Sequence, residues 1–153
     1  MSTKVSNSYL GVVAVLAMFA GFAYAHNSHH DLNGTWKLVP TRSDFGGEPV
    51  IETGTVTIND REHNITISRS FTFDGANQTN SFSFTTDGRE NATIREGKDF
   101  KSKAKWDGDV LVVNTTQDAA TSSERYELAP DGFLRLFVER SGHRPVTLYF
   151  QRQ

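Results

Sequence analysis

The sequence predicts an all-β protein, an up-and-down antiparallel barrel of about 8–10 strands behind an N-terminal signal helix. Three observations carry this. From Asn33 onward apolar and polar residues alternate with period 2, the pattern of half-buried strands. No stretch in that region shows the 3.6-residue repeat of an amphipathic helix. Asp-Gly recurs at 74–75, 87–88, 107–108 and 131–132, a pair that favours tight hairpin turns with positive φ.

The first element is the signal helix. Lys4 supplies a cation, and Leu10 to Phe22 run for 13 residues without a charged or strongly polar side chain. A membrane span needs roughly 20 apolar residues, whereas about 7–15 suit the core of a cleavable signal. Ala23-Tyr24-Ala25 supplies the small-x-small cleavage pattern, so the expected cut precedes His26. The predicted organisation is a signal peptide over 1–25, a flexible histidine-containing tail over 26–32 and a barrel domain over 33–153. A periplasmic or secreted location follows from this reading.

The mature chain would hold 128 residues, one domain of ordinary size, with a net charge near −3 once Lys4 is gone. That balance gives no basic face for nucleic acid. The chain has no cysteine, so packing alone must stabilise the fold. Asn33, Asn64, Asn77, Asn91 and Asn114 open N-x-T triplets. These are glycan acceptors in a eukaryotic secretory pathway, but also a by-product of Asn and Thr sharing the outer face of a strand.

Among the strands the clearest places Ile65, Ile67, Arg69, Phe71 and Phe73 on one face against Asn64, Thr66, Ser68, Ser70 and Thr72. Similar alternation occurs at Val56-Ile58, at Phe82-Phe84 and in Phe100 to Trp106 against Lys101, Lys103 and Lys105. It continues at Tyr126-Leu128, Leu134 to Val138 and Val146 to Phe150. A two-residue turn at Asp107-Gly108 would set Trp106 opposite Asp109, with Leu111 and Val113 on the Trp106 face. The long Gly- and Pro-rich connection from Pro40 to Thr53 is the candidate lid. Closure removes the sheet edges that would otherwise invite aggregation. An outer-membrane barrel is disfavoured by short strands and by mid-strand Lys and Arg, each costing about 2–4 kcal/mol in lipid.

The opening strand, Gly34-Thr35-Trp36-Lys37-Leu38-Val39, resembles that of the calycin barrels, meaning lipocalins and intracellular fatty-acid-binding proteins. The likeness extends in outline to the WDGDVLVV and DGFLRLFV stretches. It implies that Trp36 plugs the closed end and that Arg152, from the last strand, packs over it. Fatty-acid-binding proteins hold a carboxylate through R-x-Y on the last strand. Here the matching stretch is Thr147-Leu148-Tyr149, without the arginine, and the lid segment is too short for that family's helix-turn-helix.

The expected function is therefore an exported barrel that binds a small apolar or lipid-like molecule. The cavity is expected to be lined by Arg69, Phe71, Phe73, Phe82, Phe84, Trp106, Tyr126 and Phe150. An inward Arg69 must meet a carboxylate, a ligand anion or water, or else the register shifts. Arg140 has the same ambiguity near a strand end. No nucleophile elbow, triad, phosphate loop or paired carboxylate is recognisable, so no catalytic residue is assigned and no cofactor is predicted. An isomerase- or cyclase-type site of a few polar groups in an apolar cavity is the enzymatic alternative. A further alternative is metal binding, since cleavage before His26 would join an amino terminus to its imidazole. His29 or His30 would add a nitrogen to a donor set suited to Cu(II).

Overall fold

A computed structural model describes residues 29–153 of the chain. The predicted signal helix, its cleavage motif and His26 lie outside the described residues. The barrel consists of β1 (Gly34–Leu38), β2 (Thr53–Arg61), β3 (Asn64–Phe73), β4 (Ala76–Thr85), β5 (Asp87–Arg95), β6 (Lys98–Asp107), β7 (Val110–Gln117), β8 (Ala120–Leu128), β9 (Leu134–Arg140) and β10 (Val146–Arg152). One 3-10 turn, Pro40–Arg42, follows β1. Among the described residues no helix is long and apolar enough to cross a membrane.

All ten strands form one antiparallel sheet in the order β4-β3-β2-β1-β10-β9-β8-β7-β6-β5. Chain neighbours pair as a meander, and β1 closes against β10 with Trp36 opposite Arg152 and Leu38 opposite Phe150. The ladder is interrupted between β4 and β5. The closure is nearly complete, as the edge argument requires. Several strands are longer than the short runs read from sequence: β3, β4 and β6 each span 10 residues. The apolar runs mark only their buried stretches, and the ladders continue through polar residues beyond them. Lys101, Lys103 and Lys105 point outward on β6 and are exposed.

Turn chemistry sets the registers. At Asp74-Gly75, φ is +47° and +73°, the type I′ geometry whose twist matches the flanking strands. Glu96-Gly97 repeats it at +49° and +74°. At β6–β7 the turn residues are Gly108 and Asp109, so Asp107 pairs with Val110 and Trp106 with Leu111. This corrects the expected Trp106–Asp109 pairing by one step on each strand. Gly108 takes the leading left-handed position of this turn at φ +58°. Asp87-Gly88 makes no hairpin and sits at the register shift where β5 begins.

The inward faces meet at one end in a packed core of Trp36, Ile58, Ile65, Leu111, Leu134 and Phe150, all essentially inaccessible to solvent. Burial of each such side chain contributes about 1.5–3 kcal/mol. Residues 29–32, expected to be a flexible tail, instead cover this end. Leu32 is fully buried and its carbonyl accepts the Trp36 indole N–H at 2.9 Å. The Arg152 guanidinium lies 4.4 Å from the Trp36 ring centre. It also donates to the carbonyls of Asn33 at 2.8 Å and Asp31 at 3.0 Å.

A capped chamber floored by an arginine–glutamate bridge

The opposite end of the barrel is not filled. A chamber of about 330 Å³ lies between strands β3, β8, β9 and β10 and the Pro40–Thr53 connection. Phe71 and Phe73 line one wall, Leu136, Val138, Val146 and Leu148 the other, and Phe45, Pro49 and Ile51 close over it. The connection expected to be a lid is thus the cap of the chamber. Main-chain hydrogen bonds in both directions between Asp44 and Thr147, each 2.8 Å, fasten it to β10. The Glu48 carboxylate fastens it to the β9 end through His143 Nδ1 at 2.7 Å and Arg140 Nη2 at 3.2 Å. Arg140 therefore has its carboxylate at the rim and stays partly exposed.

Gly54, opposite Phe71 in the β2–β3 ladder, shapes the wall. A Cβ there would stand 2.7 Å from the Phe71 ring, so only glycine lets the ring lie flat against β2. The ring stacks towards Phe150 with centres 6.4 Å apart, joining the chamber wall to the packed core.

The floor is polar. Arg69 on β3 reaches across the barrel to Glu124 on β8, with Nη1 donating to Oε1 at 3.0 Å and Nη2 to Oε2. Nη2 also contacts the Tyr126 hydroxyl, and that hydroxyl donates to Glu124 Oε2 at 2.9 Å. The bidentate fork is the strongest arrangement available to this pair. Arg69 Nε is buried with no acceptor in the protein, a state that costs about 1–3 kcal/mol. Burial lowers the pKa of the Arg69 guanidinium, and the adjacent Glu124 charge and the hydrogen bonds to Glu124 and Tyr126 more than offset this. Burial likewise pushes Glu124 upward, but Arg69 prevails and holds it below the usual carboxylate range. Burial pushes the Tyr126 hydroxyl far above its ordinary value.

Beyond this bridge lies a second chamber of about 190 Å³, which Phe82, Phe84, Phe100 and Arg95 line. Arg95 lies over the rings of Phe82 on β4, at 3.8 Å, and Phe100 on β6, at 4.9 Å. It spans the interruption between β4 and β5.

The predicted cavity residues therefore divide. Phe71 and Phe73 line the capped chamber, Phe82 and Phe84 the second one, and Arg69 both. Trp106 and Phe150 line neither: Phe150 is core, and Trp106 packs against that core with His29 stacked on it at 3.5 Å. Tyr126 is core through its ring and joins the floor only through its hydroxyl. On β10 the residues facing the chamber are Val146 and Leu148, so the last strand brings no polar group to it. Glu124, Arg95, Glu48 and Phe45 complete the site beyond the predicted residues. The signal for Glu124 was its place two residues before Tyr126, on the same face.

His29 and His30 point to different partners, His29 to Asp60 at 3.4 Å and His30 to Asp109 at 3.7 Å. Among the described residues no group of three His, Asp or Glu side chains is arranged to hold a metal ion. The Arg69, Glu124 and Tyr126 cluster forms a charge-paired polar floor to the chamber.

No protein-family model matches the chain, and no curated protein sequence matches it. Solved structures do. A variant of the REP1-NXSQ fatty acid transporter superposes with a TM-score of 0.61 at 23% identity, over 80% of this chain and 98% of that one. The fold is a calycin-like barrel. Secretory abundant heat soluble protein 4 from Ramazzottius varieornatus matches at 0.61 and 14% identity, over 79% of this chain and 94% of that one. A Schistosoma mansoni fatty acid binding protein in complex with arachidonic acid matches at 0.57 and 19%, over 79% and 95%. At these identities the calycin-like likeness concerns the fold.

Proposed function

We propose that this calycin-like barrel is an exported binder of a small apolar molecule, held in the capped chamber between Phe71, Phe73, Val138 and the Phe45–Ile51 cap. The observation that carries the reading is the chamber itself. It is a partly open space whose walls are mainly apolar side chains. About 330 Å³ walled by aromatic and aliphatic side chains falls within the roughly 300–1,000 Å³ of ligand sites. The cap supports it too: Asp44 and Glu48 hold an otherwise irregular loop over the one end of the barrel that side chains leave unfilled. Two of the superposable structures are of proteins named for fatty acids, one with arachidonic acid bound, which is consistent with an apolar chain in such an interior.

Export rests on Lys4, the apolar run Leu10 to Phe22 and Ala23-Tyr24-Ala25. Periplasmic or secreted placement is part of the proposal, and mature protein from its own host should begin at His26.

Native mass spectrometry of protein purified from that host tests the binding reading. The expected spectrum contains an adduct that organic extraction releases and identifies as an apolar compound. A bare protein that also takes up no added apolar compound would overturn it.

A further inference from the structure

The charge arrangement around the capped chamber bears on which apolar molecules it admits. Four charged side chains line it: Arg69, Glu124, Arg140 and Glu48. They are already matched in pairs within the protein, Arg69 with Glu124 and Arg140 with Glu48. Both Nη groups of Arg69 are engaged by Glu124, Nη2 also contacts the Tyr126 hydroxyl, and only Nε is left without an acceptor in the protein. The β10 residues that line the chamber, Val146 and Leu148, are apolar, so β10 brings no second cation to it. Arg95 lines the other chamber, beyond the bridge.

A ligand carboxylate entering the capped chamber would therefore meet an arginine whose charge is spent on Glu124. It would lie close to that second carboxylate at the floor and to Glu48 at the rim. Desolvation of the incoming carboxylate is then not offset by an unpaired cation. An uncharged ligand meets no such opposition and leaves the bridge intact.

We propose that the Arg69–Glu124 bridge makes the chamber selective for uncharged apolar ligands, such as esters, ketones or alcohols, and against fatty carboxylates. This rests on the binding reading above and adds the ligand class to it. Glu124 is then the specificity-determining residue, because it removes the charge that Arg69 would otherwise offer to an anion.

The test compares dodecanoate with its methyl ester, two probes of the same chain length, by titration calorimetry at neutral pH. Wild-type protein should bind the ester at least about tenfold more tightly. Glu124→Gln keeps the shape of the residue but frees the Arg69 charge, so dodecanoate should gain at least about tenfold while the ester changes little. Dodecanoate binding to the wild type as tightly as the ester would overturn the proposal, whether or not the variant folds. So would dodecanoate binding that Arg95→Leu abolishes, which would move charge recognition to the second chamber. If neither probe binds, the binding reading fails instead.

Discussion

The residues that decide the behaviour of the interior are Arg69, Glu124 and Tyr126. Their polar ends lie between the packed core and an open chamber, where dielectric screening is weak and each is satisfied mainly by the others. Removing one partner should therefore cost more than removing both. Arg69→Leu strands a buried carboxylate and should lower unfolding free energy by about 3–5 kcal/mol, and adding Glu124→Leu should restore most of it. Urea denaturation of the two single variants and the double variant checks this. The pH dependence follows from the same pair. The folded-state pKa of Glu124 is depressed, so its contribution is fully present above the unfolded carboxylate value of about 4.3 and is lost as pH falls through the lower folded value. Acid unfolding followed by circular dichroism should begin below about pH 4.3, and Glu124→Gln should flatten that limb.

The inward Arg69 was legible in the sequence because Ile65, Ile67, Phe71 and Phe73 share its face. Its partner was not, because a contact spanning 55 residues exists only once the barrel has closed. The alternation at Tyr126-Leu128, extended back by one step, would have placed Glu124 inward.

At the scale of elements, the Pro40–Thr53 connection was readable as a cap from its glycines and prolines. What fixes it in place was not, since Glu48, Arg140 and His143 come from separate loops and strand ends. These contacts are largely exposed, so Glu48→Gln should change stability by less than about 1 kcal/mol. Its effect belongs in the kinetics. A cap released from β9 opens more often, and ligand dissociation measured by stopped flow should quicken several-fold. The turns teach a related lesson. Asp-Gly marked hairpins at 74–75 and 107–108, yet only at the first does the pair occupy the two turn positions. Glu96-Gly97 turns as tightly without an aspartate, because glycine's left-handed conformation is the scarcer requirement.

At the scale of the molecule, closure of β1 on β10 divides the barrel into two ends with different duties. Trp36, Arg152 and Leu32 seal one with aromatic and aliphatic packing. The other keeps a chamber under a tethered loop. Strand number, closure and the sealed end followed from patterning and from the opening strand, since period-2 alternation and edge avoidance act on the whole chain. Whether the interior is filled did not follow, because that depends on how side chains from strands far apart in sequence meet across the barrel. Phe71 and Phe150 were equally inward by pattern, and only the packing makes one a wall and the other core.

The central claim is that the capped chamber takes an apolar ligand, and titration of isotope-labelled protein with methyl dodecanoate, followed by two-dimensional NMR, tests it most directly. Saturable shifts are expected at Phe45, Ile51, Phe71, Val138 and Leu148, with Trp36 and Leu32 at the sealed end undisturbed. Shifts confined to the outer surface, or no saturable change at all, would contradict it.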